Sequence, residues 1–409
     1  MKNRYFRIAT LLIISCTVLC SCHDDDNSDE LSEPRTIFVM SADAGYDLEG
    51  DNWVFATAPD GELLGVASYT PEVVVHFTSK RKLETINITF FKHWGSLVGA
   101  TNETYTSFTT YAGIPVGTGL TLKASPRIPG GVAYANFAIV NFNDGAIQFA
   151  NGYPCGASGS ELNGVFEGKV SFYGGAPSDF LLSGYRSKVP VYNWAKGVKA
   201  GDQIYRNFAT DFIPFPHQVA LNFEGRNHAI IEGVDTDNNK VITLLDTDVP
   251  GSLGRPGDHP VIGYLDGFDS YEMTVTNTKA NGMVIYNRGG TFNPSFSIPT
   301  FTFSIDKSDM QDYAFNFSEN YSYYNAIWEY DEVPEYTWWS VNAPSGTTVK
   351  GLTVPDEIAV RYPKIKMSNF KYSLVRFTKA VSGRPYLETV PGMTGDKSQT
   401  WESYTYQPY

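Results

Sequence analysis

Residues 321–340 read YSYYNAIWEYDEVPEYTWWS, eight Tyr and Trp in twenty positions. Side chains two apart share one face of a β-strand. Tyr324, Ala326, Trp328 and Tyr330 then share one face, and Tyr323, Asn325, Ile327 and Glu329 the other. After the polar turn DEVPE, Thr337, Trp339 and Val341 oppose Trp338, Ser340 and Asn342. The stretch reads as a hairpin. A sandwich has one core face per sheet, so Trp338 and Trp339 cannot both enter the same core. Ser340 and Asn342 mark the Trp338 face as the wetter one. Trp339 is expected in the core, and Trp338 on the outer face, at a domain seam or beneath a loop.

The same period of two runs outward from this hairpin. Asn52–Thr57 and Leu63–Ser68 flank Pro59-Asp60-Gly61, and Tyr134–Phe142 and Ala146–Phe149 flank Asn143-Asp144-Gly145. Both are strong hairpin signals. Further strands are expected at Thr36–Met40, Leu83–Phe91, His228–Val234, Lys240–Leu245, Ser270–Thr276, Tyr313–Phe317 and Lys371–Phe377. No segment of helical length keeps a 3.6-residue apolar stripe. The expected fold class is all-β, as tandem sandwiches of immunoglobulin-like type. The turn-rich stretches 152–164 and 249–263 divide the chain. They predict an N-terminal sandwich over 35–152, a middle β domain over 165–250, a C-terminal sandwich over 264–390 and a tail over 391–409.

Composition bounds the function. Charged residues are 18% and aromatic residues 14%. The first value lies below the usual quarter or so and argues for a folded chain. A formal net charge of −13 disfavours nonspecific binding to nucleic acid or anionic lipid.

The chain opens MKNRYFRIATLLIISCTVLCSCHDDDNSDE. Lys2, Arg4 and Arg7 precede a short apolar run, Ile8–Leu19, with the proportions of a secretory signal peptide. Leu19-Cys20-Ser21-Cys22 resembles a bacterial lipobox. His23-Asp24-Asp25-Asp26 resembles the acidic export signal of Bacteroidota surface lipoproteins. The resemblance implies a signal peptide over 1–21, a lipid on the Cys22 sulfur, and a tether over 22–34. It also implies an outer-membrane location, facing outward and held by acyl chains, so that no membrane-spanning helix is needed. Of the four cysteines, Cys16 and Cys20 would then leave with the signal. Cys22 would carry lipid, and Cys155 would remain without a disulfide partner in its own chain.

Candidate chemistry is sparse. A half-exposed Trp or Tyr offers an apolar face on which a sugar ring stacks, while carboxylates take its hydroxyls. Trp328, Tyr330 and Trp338 with Glu329 and Glu335 are the material of such a glycan site. They are equally the material of an ordinary hairpin with a polar loop. Trp53, Trp94, Trp194 and Trp401 are dispersed, and Trp401 in the tail is the next candidate for exposure. Asp235, Asp237 and Asn239 open like a calcium loop, but Lys240 and Asp246 stand where its glycine and bidentate glutamate belong. A hairpin turn explains them as well. His217 and His228, with Glu224 between, match no zinc spacing, and no other metal or cofactor motif is present. The leading expectation is therefore non-catalytic binding of an extracellular ligand, possibly a polysaccharide. A structural or adhesive lipoprotein contacting an outer-membrane protein comes second, and a hydrolase third.

Overall fold

A computed structural model describes residues 30–46, 48–98, 101–124, 131–142, 147–152, 156–173, 177–236, 240–247, 259–393 and 400–409. The fold is all-β and sandwich-like, and Asp356–Arg361 is the one α-helix among the described residues. No helix among those residues is long and apolar enough to cross a membrane. Cys22, Cys155, Asp237, Asn239 and the turn Asn143-Asp144-Gly145 lie outside the described residues.

The centre is a twelve-stranded sheet. In spatial order its strands are Lys240–Asp246, Arg226–Asp235, Ser270–Lys279, Gly282–Gly290, Trp401–Pro408, Lys371–Ser382, Tyr323–Glu332, Glu335–Pro344, Thr101–Pro115, Thr85–Val98, Asp51–Thr57 and Leu63–Ser68. Neighbours are antiparallel except Glu335–Pro344, which runs parallel to Thr101–Pro115 with Thr337 opposite Thr106 and Trp339 opposite Phe108. A parallel pair cannot be closed by a tight turn and needs a long crossover. Here the crossover contains all of the chain between the two strands.

One face of this sheet carries two adjoining apolar cores. The first gathers Phe91, Phe108, Trp328, Trp339, Phe377 and Tyr406 beneath the hairpin Phe303–Asp309/Asp312–Phe317 and the segment around Ile358 and Phe370. The second gathers Ile231, Leu244, Ile262, Met273 and Tyr286. On the opposite face, Val54, Ile86, Ile88 and Ile114 pack against a three-stranded sheet of Val75–Arg81, Glu30–Ala42 and Thr118–Leu122. A separate sandwich of two four-stranded sheets spans Val132–Pro214, filled by Phe137, Phe142, Phe149, Phe166, Phe172, Phe180 and Phe208.

The strands group across the expected boundaries. Residues 152–164 fall inside the Val132–Pro214 sandwich, because Gly156–Leu162 pairs with Val165–Tyr173. The expected N-terminal and C-terminal sandwiches share the central sheet. The tail is no appendage, since Trp401–Pro408 is hydrogen-bonded on both sides, to Gly282–Gly290 and to Lys371–Ser382. Turn-rich composition does not by itself mark a loop, since Gly156–Leu162 and Val261–Tyr264 are strands within or at the end of those stretches.

Candidate functional site

The hairpin Tyr323–Glu332/Glu335–Pro344 forms as its alternation dictates, with Trp328 opposite Trp339 and Glu329 opposite Trp338. Trp339 is fully buried and stacks on Phe108, with centroids 4.3 Å apart and planes 9° apart. Its indole N–H donates to Thr110 Oγ1 at 2.9 Å. Trp338 points the other way and is half-buried.

Around Trp338 the two neighbouring strands bring Trp94 and Tyr105, and its own strand brings Tyr336. Tyr105 lies opposite both Tyr336 and Trp94 in register. Trp94 stacks on Tyr105 at 5.5 Å and Tyr105 on Tyr336 at 5.3 Å, each pair within about 21° of parallel. Trp338 meets Trp94 edge-on at 5.6 Å. All four rings are half-buried, so they form a partly exposed ridge on the outer face. Cross-strand aromatic pairs also stabilise a sheet; the ridge therefore has a packing role whatever else it does. Lys92 Nζ lies 4.9 Å from the Trp94 ring centre. The Tyr105 hydroxyl bonds the Glu103 carboxylate. Exposed Glu329, in register with Trp338, adds a carboxylate at the border.

The five expected ligand residues therefore separate. Trp338 and Glu329 reach the ridge. Trp328 does not: it is fully buried, packs 4.9 Å from Tyr313 and donates its N–H to the Ser308 carbonyl at 2.9 Å. It is a core residue, because the Tyr324–Tyr330 row faces the hairpin Phe303–Phe317. Tyr330 lies on that same side and packs edge-on against Phe370 at 5.2 Å; burial raises its hydroxyl pKa. Glu335 pairs with Lys364 at 2.6 Å. Beside them, Glu329, Tyr330, Asp331, Glu332, Asn369 and Lys371 border a hollow of about 510 Å³ at the hairpin tip.

Sequence reasoning treated Trp94 as an isolated residue and did not single out Tyr105 at all. The signal was present, since Lys92-His93-Trp94 continues the alternation of Leu83–Phe91. His93 faces the opposite side, bonds Thr106 Oγ1 through Nδ1 at 2.9 Å and lies 4.4 Å from the Tyr362 ring. Burial lowers its pKa, against the pull of Asp51 and Glu335. Asp51 anchors the short helix by accepting from Tyr362 Oη at 2.8 Å and Arg361 at 3.0 Å. Burial pushes its pKa up, but the bonds from Tyr362, Trp53 and Arg361 outweigh it and hold the carboxyl below its ordinary value.

The histidines singled out in the sequence each bond a different aspartate. His217 pairs with Asp266 and His228 with Asp246, both at 2.7 Å. Among the described residues no three His, Cys, Asp or Glu side chains are grouped to hold a metal. Asp235 lies opposite Lys240 in register, at the turn end of its hairpin. Comparison of the chain with family models, with curated proteins and with solved structures finds no match.

Proposed function

We propose that this chain is a lipid-anchored protein of the outer cell surface that holds a polysaccharide without cleaving it, with the ridge of Trp94, Tyr105, Tyr336 and Trp338 as the contact. The observation that carries this reading is the ridge itself, four half-exposed rings from three strands, bordered by Lys92 and Glu329. Aromatic residues with one apolar surface and one polar handle suit ligands that are apolar on one side and hydroxylated at the rim. Charged groups at the border supply both a donor and an acceptor for hydroxyls.

Trp338→Ala and Trp94→Ala test the reading directly. Each should reduce retention on an immobilised polysaccharide panel at least about tenfold, in the range of an aromatic hot-spot truncation. Each variant's melting curve is recorded alongside. Parallel losses of stability and retention, or retention unchanged in both variants, would make the ridge a packing device. Release of new reducing ends by the wild-type chain would replace the binding reading with a hydrolytic one.

A further inference from the structure

A second feature of the same sheet face lies away from the ridge and does not depend on it. The segment after Lys371–Ser382 turns back over the sheet and encloses a hollow of about 230 Å³, lined in part by Asn287, Tyr323, Ser382, Arg384, Trp401 and Ser403. Strand alternation puts Ser403 and Trp401 on this face, because Tyr404 and Tyr406 face the apolar core.

Arg384 is held here at some cost. Its φ of +40° lies in the left-handed region, which a side-chain-bearing residue enters with strain. Its guanidinium lies over the Trp401 ring, 3.8 Å from the centroid. Trp401 in turn lies over Gly289, where a Cβ would sit 2.1 Å from the indole nitrogen; only a residue without a side chain leaves that room. Two buried donors of this pair, Arg384 Nε and Trp401 Nε1, have no hydrogen-bond partner. The nearest acidic group to the guanidinium is Glu272 Oε1, at 3.7 Å, beyond hydrogen-bond length. Glu402 also borders the hollow; it shares the parity of Tyr404, and its carboxylate lies at the same loose distance, 3.7 Å, from Arg288. Arg384 is thus the one cationic side chain among the lining residues and Glu402 the one carboxylate, and the rest of the polar lining is hydroxyls and an amide.

Unmade donor bonds in a buried place are costly, and a guanidinium fixed on an aromatic face is suited to a planar carboxylate. We infer that this hollow is a binding site for a small hydroxylated carboxylate of the sugar-acid class, its carboxylate held by Arg384 beside Trp401 and its hydroxyls by Asn287, Tyr323, Ser382 and Ser403. The hollow is smaller than a typical pocket for a drug-sized ligand, about 300 Å³ or more, and takes one ring rather than a chain.

The test is calorimetric titration of the purified chain with sodium glucuronate, with glucose, and with a short polyuronate. Glucuronate should bind saturably and glucose should not. Binding of the polyuronate as well as the free acid assigns the site to chain ends, and binding of the free acid alone assigns it to a monomer. Arg384→Gln should weaken binding at least about tenfold, the loss expected for one charge-assisted bond. Trp401→Phe keeps a ring beneath the guanidinium and removes the N–H, and should weaken binding by a smaller factor. Trp338→Ala should leave it unchanged, which separates this site from the ridge. If Arg384→Gln does not fold, as judged by circular dichroism, Arg384→Lys is read instead with the same expected direction. No binding of either acid, or binding that survives the Arg384 substitution, overturns the inference.

Discussion

Trp338 and Trp339 are adjacent in sequence and opposite in environment, and the difference rests on a single hydroxyl as well as on strand parity. Thr110 is fully buried; it accepts the Trp339 N–H and lies 2.8 Å from Thr89 Oγ1. Thr110→Val keeps the shape and leaves both partners without their bond. Burying an unmatched donor costs about 1–3 kcal/mol, so urea unfolding should show a stability loss in that range with no change in slope. An unchanged midpoint would mean that a water or a rotated Thr89 serves Trp339 instead. The parity of this pair was legible from Ser340 and Asn342 alone. The buried environment of Trp328 was not, because its row also contains Tyr330, and an aromatic row reads alike whether a hairpin covers it or solvent does. Nor was the pairing of Trp94 with Tyr105 and of Arg384 with Trp401, since each joins strands or segments whose adjacency no local pattern encodes.

At the level of elements, the strand Trp401–Pro408 bears most weight for its length. It is hydrogen-bonded to Gly282–Gly290 on one side and Lys371–Ser382 on the other, and it buries Tyr406 completely. Removing residues 401–409 would expose two rows of backbone donors and acceptors in the middle of the sheet, a template for association with other chains. The truncated chain should therefore elute as aggregate in size-exclusion chromatography and lose its near-ultraviolet dichroism. A monomeric, cooperatively unfolding truncation would show that the two flanking strands can close on each other. In the sequence, WESYTYQPY alternates clearly enough to be a strand, but its position as an interior strand was hidden. Thr101–Pro115 was missed outright. Its core-facing positions include Thr106 and Thr110, both buried, and threonine weakens the apolar signal that marks a strand. The strands richest in Val, Ile and Phe, such as Asp51–Thr57 and Arg226–Asp235, were found within a few residues of their ends because most of their buried positions are apolar.

For the whole molecule, the expectation of all-β architecture holds, while the division into three successive bodies gives way to one shared sheet with a sandwich, Val132–Pro214, set between its first and later strands. The proposed surface location adds a test at this scale. Cys22→Ala should move the protein from the membrane fraction to the soluble fraction, and intact cells bearing the wild-type chain should lose it to added protease. Retention of the variant in membranes would mean that something other than an acyl chain holds it there. The parallel pairing of Glu335–Pro344 with Thr101–Pro115 has a consequence for how such a chain is made. Trp339 and its partner Thr110 stand 229 positions apart, so the strand Thr101–Pro115 cannot complete its pairing until the polypeptide has been synthesised past Pro344. Folds closed by such distant pairings assemble slowly and pass through states with open edges. Until that pairing forms, the edge of Thr101–Pro115 stays open, and the yield of folded chain would depend on whatever shields it during that interval.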